Sequence, residues 1–278
     1  MPQNSFVLPE AFSIPTMPAV ANRISTMLQD PNVGLREVAA VVAQDAPLAA
    51  KVLKIANSSF YGLRERCMST QQAASILGIK VLKNVVLQAA VIRQFDHLKG
   101  SGIDLNDLWR HAIVTAQTCA FLTQRAQRKI LISAEEAYVC GLLHDLGQVV
   151  MIDNLKDFYV KVMKRAKSEH IPLFLAEQQA LGFTHADVGG RVATMWGLPQ
   201  TVVHAITLHH GPDAEAAREP VVSLILCTNL LVERVSAGNA AAASGLFATP
   251  IARPLGINSE VETAAIEFVA GALKAVEI

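Results

Sequence analysis

The sequence predicts an all-α protein built from two packed helical subdomains. Apolar residues recur at the three- to four-residue spacing of amphipathic helices along most of the chain. Capping residues, glycines and prolines stand where these stretches would begin and end. No stretch shows the sustained alternation of apolar and polar residues that is typical of strands. Helices packed on helices are therefore the expected architecture.

Residues 1–98 are predicted to form the first helical subdomain, a bundle of about five short helices. Asp45 and Pro47 show the usual order at a helix start, with an acidic N-cap residue and a proline inside the first turn. Gly78 is expected to close one helix directly before the next. The predicted helices cover residues 19–29, 35–43, 48–56, 69–77 and 79–95.

The second subdomain, residues 103–235, is expected to follow a Lys-Gly-Ser-Gly breaker at 99–102. Its predicted helices cover residues 105 to about 128, 134 to about 144, 156–169, 173–181, 185–196, 200–210 and 221–235. Residues 236–278 are expected to be an Ala/Gly/Ser-rich flexible loop to residue 250 and a final amphipathic helix over 260–276.

The composition is that of a well-buried globular protein. The 278 residues are 51% hydrophobic and 17% charged, enough for one large domain or two small ones. The mean hydropathy is +0.33, but no run approaches the roughly 18 uninterrupted apolar residues of a membrane span. No signal peptide is visible at the start. Four widely spaced cysteines are typical of buried residues in a reducing compartment, so the predicted location is the cytoplasm.

The charge balance argues against nucleic-acid binding. The 24 basic and 24 acidic residues give a formal net charge of zero, which lacks the basic excess of a nucleic-acid binder. Residues 35–56 have the length of a helix-turn-helix reader. However, their second helix carries only Lys51 and Lys54, without an outward cluster of Arg, Asn or Gln.

Residues 141–147, Gly-Leu-Leu-His-Asp-Leu-Gly, are the central stretch of the chain. Adjacent side chains diverge by about 100° within a helix, so His144 and Asp145 can face one metal ion only where the helix ends. Gly147 is expected to provide that ending in a left-handed conformation. The alternative is a helix C-terminus with a capping histidine and a buried, hydrogen-bonded aspartate.

Further histidines and acids could join this pair. Asp107 and His111 are spaced i, i+4 and share one helix face, while His185 opens a predicted helix. If helices point these groups inward, they can bind one or two divalent ions. Two ions about 3.5–4 Å apart would suit phosphoester hydrolysis. The candidate metal ligands are Asp107, His111, His144, Asp145, His185, His209, His210 and Asn229.

Each candidate also has a structural interpretation. Asp107 could pair with Arg110 on a solvated face, and His111 could be a core histidine. Thr184 is a better N-cap residue than His185. The pair of histidines at 209 and 210 could interact with a helix C-terminus through its dipole. What is specific is the order of the whole set along the chain.

This order resembles the HD superfamily of metal-dependent phosphohydrolases and its cyclic-di-GMP phosphodiesterase branch, HD-GYP. It is more similar to the HDOD family of bacterial signalling domains, because the N-terminal segments match that family and not the plain hydrolases. The resemblance implies an all-helical fold with an HD-like second subdomain. The carrying segments are residues 28–32, 44–48, 54–62, 73–78, 108–111, 141–147, Glu177 with 181–189, 196–199 and 206–210.

Three departures from the hydrolase pattern bear on activity. Asn229, in Leu-Cys-Thr-Asn, stands where HD hydrolases carry a last aspartate ligand. Gln148 stands where HD-GYP enzymes have a lysine. The Gly-Tyr-Pro motif is absent after His210, where the chain reads Gly-Pro-Asp. Loss of an anionic ligand and of a cation should weaken the stabilisation of metal and substrate.

The resemblance therefore implies a non-catalytic signal-transduction module that acts on another signalling protein or binds a small ligand, such as a nucleotide. No cofactor is expected, apart from a divalent Fe, Mn, Zn or Ni ion at a vestigial site. Neither a membrane nor a nucleic acid is an expected partner. The alternative is a metal-dependent phosphohydrolase that acts on a nucleotide or cyclic dinucleotide.

Overall fold

The computed structural model describes residues 9–10, 12–27, 30, 32–57, 62–99, 104–127, 132–211 and 219–276. Within these residues the regular structure consists of α-helices and short 3₁₀ turns, with no β-strand. The all-α prediction is therefore confirmed. Residues 100–102 of the expected breaker at 99–102, part of segment 54–62 and the Pro-Asp that follows Gly211 lie outside the described residues.

Four helices form the N-terminal part of the described chain, and the last of them is the central one. Helices α1, α2 and α3 pack against α4. The Asp45 side chain caps α3, as the sequence predicts, and the Ser69 side chain caps α4. Gly78 interrupts α4 with φ 75° and ψ 164°, a conformation that favours glycine. The bounds are Ala19–Met27 (α1), Leu35–Ala43 (α2), Ala46–Ala56 (α3) and Thr70–Gln94 (α4).

In the described part of the chain, α4 is the one helix that is long and apolar enough, by length and composition, to cross a membrane. More than half of its most apolar window, 56%, is buried inside the protein. It contacts α1, α2 and α3. These contacts are those of a core helix.

The second half contains the helices that hold the candidate site. The first two, α5 and α6, form a close pair in which a Cβ atom added to Gly141 would lie 2.7 Å from the Cα atom of Ala116. The last, α12, packs against α5, α6 and α11. The bounds are Leu105–Arg125 (α5), Ala134–Leu143 (α6), Leu146–Leu155 (α7), Asp157–Glu169 (α8), Leu173–Leu181 (α9), His185–Met195 (α10), Gln200–Leu208 (α11) and Pro220–Ser236 (α12).

The C-terminal region is more ordered than the sequence predicts. Instead of a loop, residues 236–250 contain a short helix, α13 (Ala240–Ala243), and a 3₁₀ turn, Leu246–Ala248. A further 3₁₀ turn, Arg253–Leu255, follows. The loop prediction was wrong here because Leu246 and Phe247 are buried and anchor the segment, and the Glu262 side chain accepts a hydrogen bond from the Phe247 amide.

The last helix, α14 (Ser259–Ala275), covers the core. It packs against α5 and α12, and the Phe121 and Phe268 rings stack with centroids 4.6 Å apart. Most buried apolar residues of both predicted subdomains belong to one continuous hydrophobic cluster, while Ala56, Cys67 and Ala73 form a small separate one. The subdomain boundaries 1–98, 103–235 and 236–278 thus remain a prediction from the sequence.

Candidate metal centre

The His144–Asp145 pair lies at a helix junction. Helix α6 ends at Leu143, His144 is its C-terminal flanking residue, and Asp145 directly precedes α7. Asp145 has φ −97° and ψ 8°, outside regular helical geometry. The two adjacent side chains therefore reach the same site, with His144 Nε2 3.2 Å from Asp145 Oδ2. A helix end at this pair was predicted.

Gly147 does not supply that helix end, so this part of the prediction was wrong. It lies inside α7, and its φ is not positive. A Cβ atom added to it would lie 1.9 Å from the carbonyl oxygen of His185 and 2.8 Å from the amide nitrogen of Gly189. The glycine is required because the backbones of α7 and α10 touch at this point. That contact places Asp145 beside His185.

Four side chains form the first ligand group: Asp145, His185, His209 and His210. Their candidate ligand atoms all lie within 4.8 Å of one another. Nε2 of His185 is 3.3 Å from Nε2 of His209 and 3.1 Å from Nε2 of His210. Asp145 Oδ1 lies 3.2 Å from Nε2 of His185 and 3.5 Å from Nε2 of His209. Helices α7, α10 and α11 thus contribute to one site.

The second ligand group contains His111, His144 and Asp145. Their candidate ligand atoms also lie within 4.8 Å of one another. Nε2 of His111 is 3.3 Å from Nε2 of His144 and 2.7 Å from Oδ1 of Asn229. Glu233 accepts a hydrogen bond from Nδ2 of Asn229, which turns Oδ1 toward His111. The asparagine therefore lies where the sequence predicts a last ligand.

Asp145 is shared by the two groups. Its Oδ1 atom faces His185 and His209, and its Oδ2 atom faces His144 and, at 3.7 Å, His111. A carboxylate in this position can bind one ion through each oxygen. Oδ1 is buried and accepts no well-aligned hydrogen bond from the described residues. A buried carboxylate oxygen without a donor is costly unless a cation neutralises it.

Outer hydrogen bonds orient the imidazole rings. Nδ1 of His144 lies 2.8 Å from the Gly141 carbonyl oxygen, and Nδ1 of His209 lies 2.6 Å from that of Ile206. A carbonyl oxygen can only accept, so each Nδ1 must carry the proton. In the neutral form of each ring, Nε2 then has a lone pair directed into the site, and this tautomer can bind a metal.

Glu177 orients His185 in the same way, and it was not among the predicted site residues. This fully buried carboxylate accepts hydrogen bonds from the backbone amide and from Nδ1 of His185, at 2.9 and 2.7 Å. The hydroxyl of Tyr159 donates to its other oxygen. The available signal was an isolated acid in the apolar stretch 171–181, because such an acid is rarely buried without partners.

The spacing of the nitrogens fits a metal ion. Two nitrogens that are each about 2.0–2.1 Å from one tetrahedral ion lie about 3.3 Å apart. The described Nε2 pairs, His111 with His144 and His185 with His209, are both 3.3 Å apart. In the metal-free protein each pair holds a proton, because Oδ1 of Asn229 accepts from Nε2–H of His111 and because His185 is protonated; a metal ion would take the place of that proton. The residues present therefore fit a divalent metal in each group.

Burial and mutual charge perturb these groups strongly. Burial lowers the pKa of His209 to about 4, and burial with the neighbouring His144 lowers that of His111 to about 4. Burial also lowers the pKa of His185, but the carboxylates of Glu177 and Asp145 overcome this effect and raise it to about 10. Burial raises the pKa of Asp145, yet His144 and its other imidazole neighbours hold that pKa well below the usual value.

Metal binding to the first group should therefore release a proton from His185. With a pKa of about 10, its ring is an imidazolium in the metal-free protein at neutral pH. The ion needs Nε2 unprotonated, so proton and metal compete. Raising the pH removes the competitor, and Mn²⁺ affinity should rise about tenfold per pH unit between pH 7 and 9. Calorimetric titrations in buffers of different ionisation enthalpy measure both quantities; a pH-independent affinity would contradict this assignment.

Asp107 does not belong to either group, which corrects the expectation from its i, i+4 spacing with His111. Its side chain is 78% exposed and forms an ion pair with Arg110 at 2.7 Å. Asp107 instead pairs with Arg110, the alternative considered from the sequence, because the part of the helix face one turn before His111 is exposed to solvent. The structure brings the other predicted ligands together: His111, His144, Asp145, His185, His209, His210 and Asn229.

These observations define a class of protein: an all-helical domain with an inward-facing histidine and aspartate centre at a helix junction. Residues 14–212 match the HDOD domain family. The chain belongs to the HDOD family, as predicted.

One relative matches this chain in sequence, and two solved structures share its fold. An uncharacterized protein of Treponema pallidum is 27% identical over 220 residues, 79% of this chain and 42% of its own length. An HDOD protein of unknown function from Geobacter sulfurreducens superposes with a TM-score of 0.72 at 23% identity, covering 96% of this chain and 94% of that one. A candidate signal transduction protein from Marinobacter aquaeolei superposes with a TM-score of 0.75 at 26% identity, covering 94% of this chain and 58% of that one. The chain thus spans less than half the length of the Treponema relative.

Proposed function

We propose that this chain is a non-catalytic HDOD signalling module that binds one divalent ion in its first ligand group and acts through another protein. The observation that carries the proposal is the neutral Asn229 beside His111 and His144. The first group combines one carboxylate with three imidazoles. The second group shares that carboxylate and adds two imidazoles and an amide oxygen.

Charge decides between one ion and two. Two divalent ions would bring four positive charges against Asp145, the single carboxylate among the ligands, in a site where His144 and His209 are buried. An aspartate at position 229 would supply a second anion to the second group. Its replacement by a neutral amide leaves the second ion poorly neutralised in a medium of low dielectric constant. The second group is therefore the weaker site.

The site also has less positive charge to stabilise a substrate phosphate than the HD-GYP pattern would give it. Gln148 lies in the first turn of α7, just after the His144–Asp145 pair, and it is buried with 7% exposure. A lysine there would present a cation to a substrate phosphate, whereas the amide is neutral. A bound ion would polarise a phosphoryl oxygen or activate water. This chain, however, provides neither a strong site for a second ion nor a cation at position 148 to stabilise the negative charge that develops on the phosphate in the transition state.

The alternative function, a metal-dependent phosphohydrolase, has one observation in its favour. Asp145 lies between the two groups with one oxygen facing each, as expected of a residue that bridges two ions. Under this alternative, a nucleotide or cyclic dinucleotide would be cleaved at the centre.

One comparison supports the signalling assignment instead. The Marinobacter protein, whose match covers 94% of the present chain, is a candidate signal transduction protein.

Asn229→Asp tests the proposal. The wild-type protein is expected to retain about one Mn²⁺ per chain after dialysis, and the variant about two, because the added carboxylate neutralises the second ion. Metal content measured by mass spectrometry and calorimetric titration gives both the number of ions and their affinities. Asn106→Asp, at an exposed position on α5, is the matched control and should leave the metal content unchanged.

Hydrolysis separates the two functions. The wild-type protein loaded with Mn²⁺ is expected not to cleave bis-p-nitrophenyl phosphate. Robust cleavage that disappears in His144→Ala would overturn the non-catalytic assignment and establish the phosphohydrolase. An unchanged metal content in Asn229→Asp would instead remove position 229 from the centre.

A further inference from the structure

The segment directly before α1 forms a strap on the surface of the protein. Residues 12–18, Phe-Ser-Ile-Pro-Thr-Met-Pro, have no regular secondary structure, and none of them is fully buried. Phe12, Ile14 and Met17 are partly buried and pack against the hydrophobic core. The strap is therefore an extended surface segment that neighbouring helices hold in place.

The helices hold the strap by its backbone. Asn154, near the end of α7, accepts a hydrogen bond from the Ser13 amide at 2.7 Å and donates one to the Ser13 carbonyl oxygen at 3.1 Å. Nε1 of Trp196, just after α10, donates to the Pro15 carbonyl oxygen at 2.8 Å. A primary amide that both donates to and accepts from one residue fixes the direction and position of a peptide chain.

A third helix completes this surface. Nε2 of Gln94, the last residue of α4, donates to the Thr16 carbonyl oxygen at 2.8 Å. The Phe12 ring packs edge-on against Phe183, with centroids 5.9 Å apart. All four hydrogen bonds go to backbone atoms of the strap, so another segment in the same conformation could accept them. We call this surface the strap groove; it consists of Gln94, Asn154, Phe183 and Trp196.

The strap itself shows which chemistry the groove accepts. Pro15 and Pro18 have the Pro-x-x-Pro spacing of segments that adopt the polyproline II conformation. This conformation has no internal hydrogen bonds, so its carbonyl oxygens are free to accept from a receptor. Grooves that bind such segments are lined with aromatic side chains. Trp196, which is only 8% exposed, and Phe183 provide them here.

We infer that the strap groove is a docking site for a Pro-x-x-Pro segment of a partner protein, and that residues 12–18 cover it in the free chain. The partner's segment replaces the strap and accepts the same hydrogen bonds from Asn154, Trp196 and Gln94. The strap is joined directly to α1, so its effective concentration at the groove is on the order of millimolar. A partner competes with it, and weakening the strap should therefore raise the affinity for the partner. The inference goes beyond the proposed function and requires no metal.

A labelled peptide with the sequence of residues 9–18 takes the place of the partner's segment in the test. Its fluorescence anisotropy is measured with the full chain and with a strap variant, Phe12→Ser combined with Ile14→Ser, always in EDTA. The variant should bind the peptide about tenfold or more tightly than the wild type, because the tethered competitor is weakened. The absence of saturable binding to the folded variant up to about 1 mM would overturn the inference.

A second peptide tests the conformation that the groove accepts. It has glycine in place of the three prolines of the first peptide and leaves the other residues unchanged. It should bind the strap variant about tenfold or more weakly, because it must lose more conformational freedom on binding. Equal affinities for the two peptides would remove the polyproline II segment as the ligand.

Groove variants, made in the chain with the weakened strap, locate the bound peptide. Trp196→Phe removes one donor and keeps an aromatic ring, while Asn154→Leu removes both bonds to the backbone of residue 13. Binding should weaken about fivefold for each hydrogen bond lost. Trp109→Phe makes the same change at a buried position of α5 outside the groove and should leave binding unchanged. Unchanged binding in both groove variants would overturn the inference.

A second copy of this chain is the competing occupant, because two copies could exchange their straps. The wild-type protein is expected to remain monomeric in light scattering up to about 100 μM, since each strap covers its own groove. A dimer that disappears in Trp196→Phe would show that the strap of a second copy fills the groove. The assignment to a partner protein would then fail.

Discussion

Asp145→Asn is expected to abolish divalent-metal binding. The carboxylate contributes to both ligand groups and is the only anion in either of them. Changes to groups that merely orient a ligand already cost about 10–100-fold in metal affinity, so loss of the shared anionic ligand should cost more than about 100-fold. Calorimetric titration of the metal-free protein with Mn²⁺ measures the effect, and circular dichroism verifies that the helices are retained.

Asp107→Asn is the control for this experiment. It makes the same chemical change on an exposed face of α5, at a carboxyl group that pairs with Arg110. Exposed ion pairs contribute about 0–1 kcal/mol, so neither metal affinity nor stability should change much. If Asp107→Asn lowers metal affinity as much as Asp145→Asn, the ligand set described for this structure is wrong.

Gly147→Ala is expected to destabilise the metal-free protein by about 3 kcal/mol or more. The added methyl group would lie 1.9 Å from the carbonyl oxygen of His185 and 2.8 Å from the amide nitrogen of Gly189. Both neighbours are backbone atoms and cannot rotate away, so α7 and α10 must separate. The separation would also move Asp145 away from His185, and Mn²⁺ affinity should fall. Urea unfolding followed by circular dichroism gives the change in free energy.

Gly271→Ala provides the matched comparison. Gly271 is exposed within α14, and no atom lies within 4 Å of an added Cβ. The same substitution there should stabilise the protein by about 0.5–1 kcal/mol, because alanine has the better helix propensity. Destabilisations of similar size at both positions would show that close packing of α7 and α10 is not the reason for the glycine at 147.

Much of the helical framework follows from local sequence. The cap at Asp45 forms in the structure as the sequence predicts, and Ser69 and Ser133 cap their helices in the same way. These contacts join residues about three positions apart, so the local sequence is enough to predict them. The segment 236–250 was mispredicted because its Ala-, Gly- and Ser-rich composition hides Leu246 and Phe247, whose burial depends on distant helices.

The site was predictable in its members but not in its arrangement. The order of histidines along the chain, through its family resemblance, indicated most of the cluster. Asp107 was misplaced because i, i+4 spacing defines a shared helix face without showing how far the core extends along it. Glu177 was missed because its partner, His185, lies on a different helix eight residues away.

The sequence by itself determined the helical class, most helix starts and ends, the HDOD family and the residue types available for a metal. Only the tertiary structure decided that Asp145 faces both ligand groups, that Glu177 orients His185, and that Gly147 permits α7 to touch α10. Helix signals arise from neighbours a few residues apart. The centre instead joins residues as distant as His111 and Asn229, 118 positions apart, and their meeting depends on how whole helices pack.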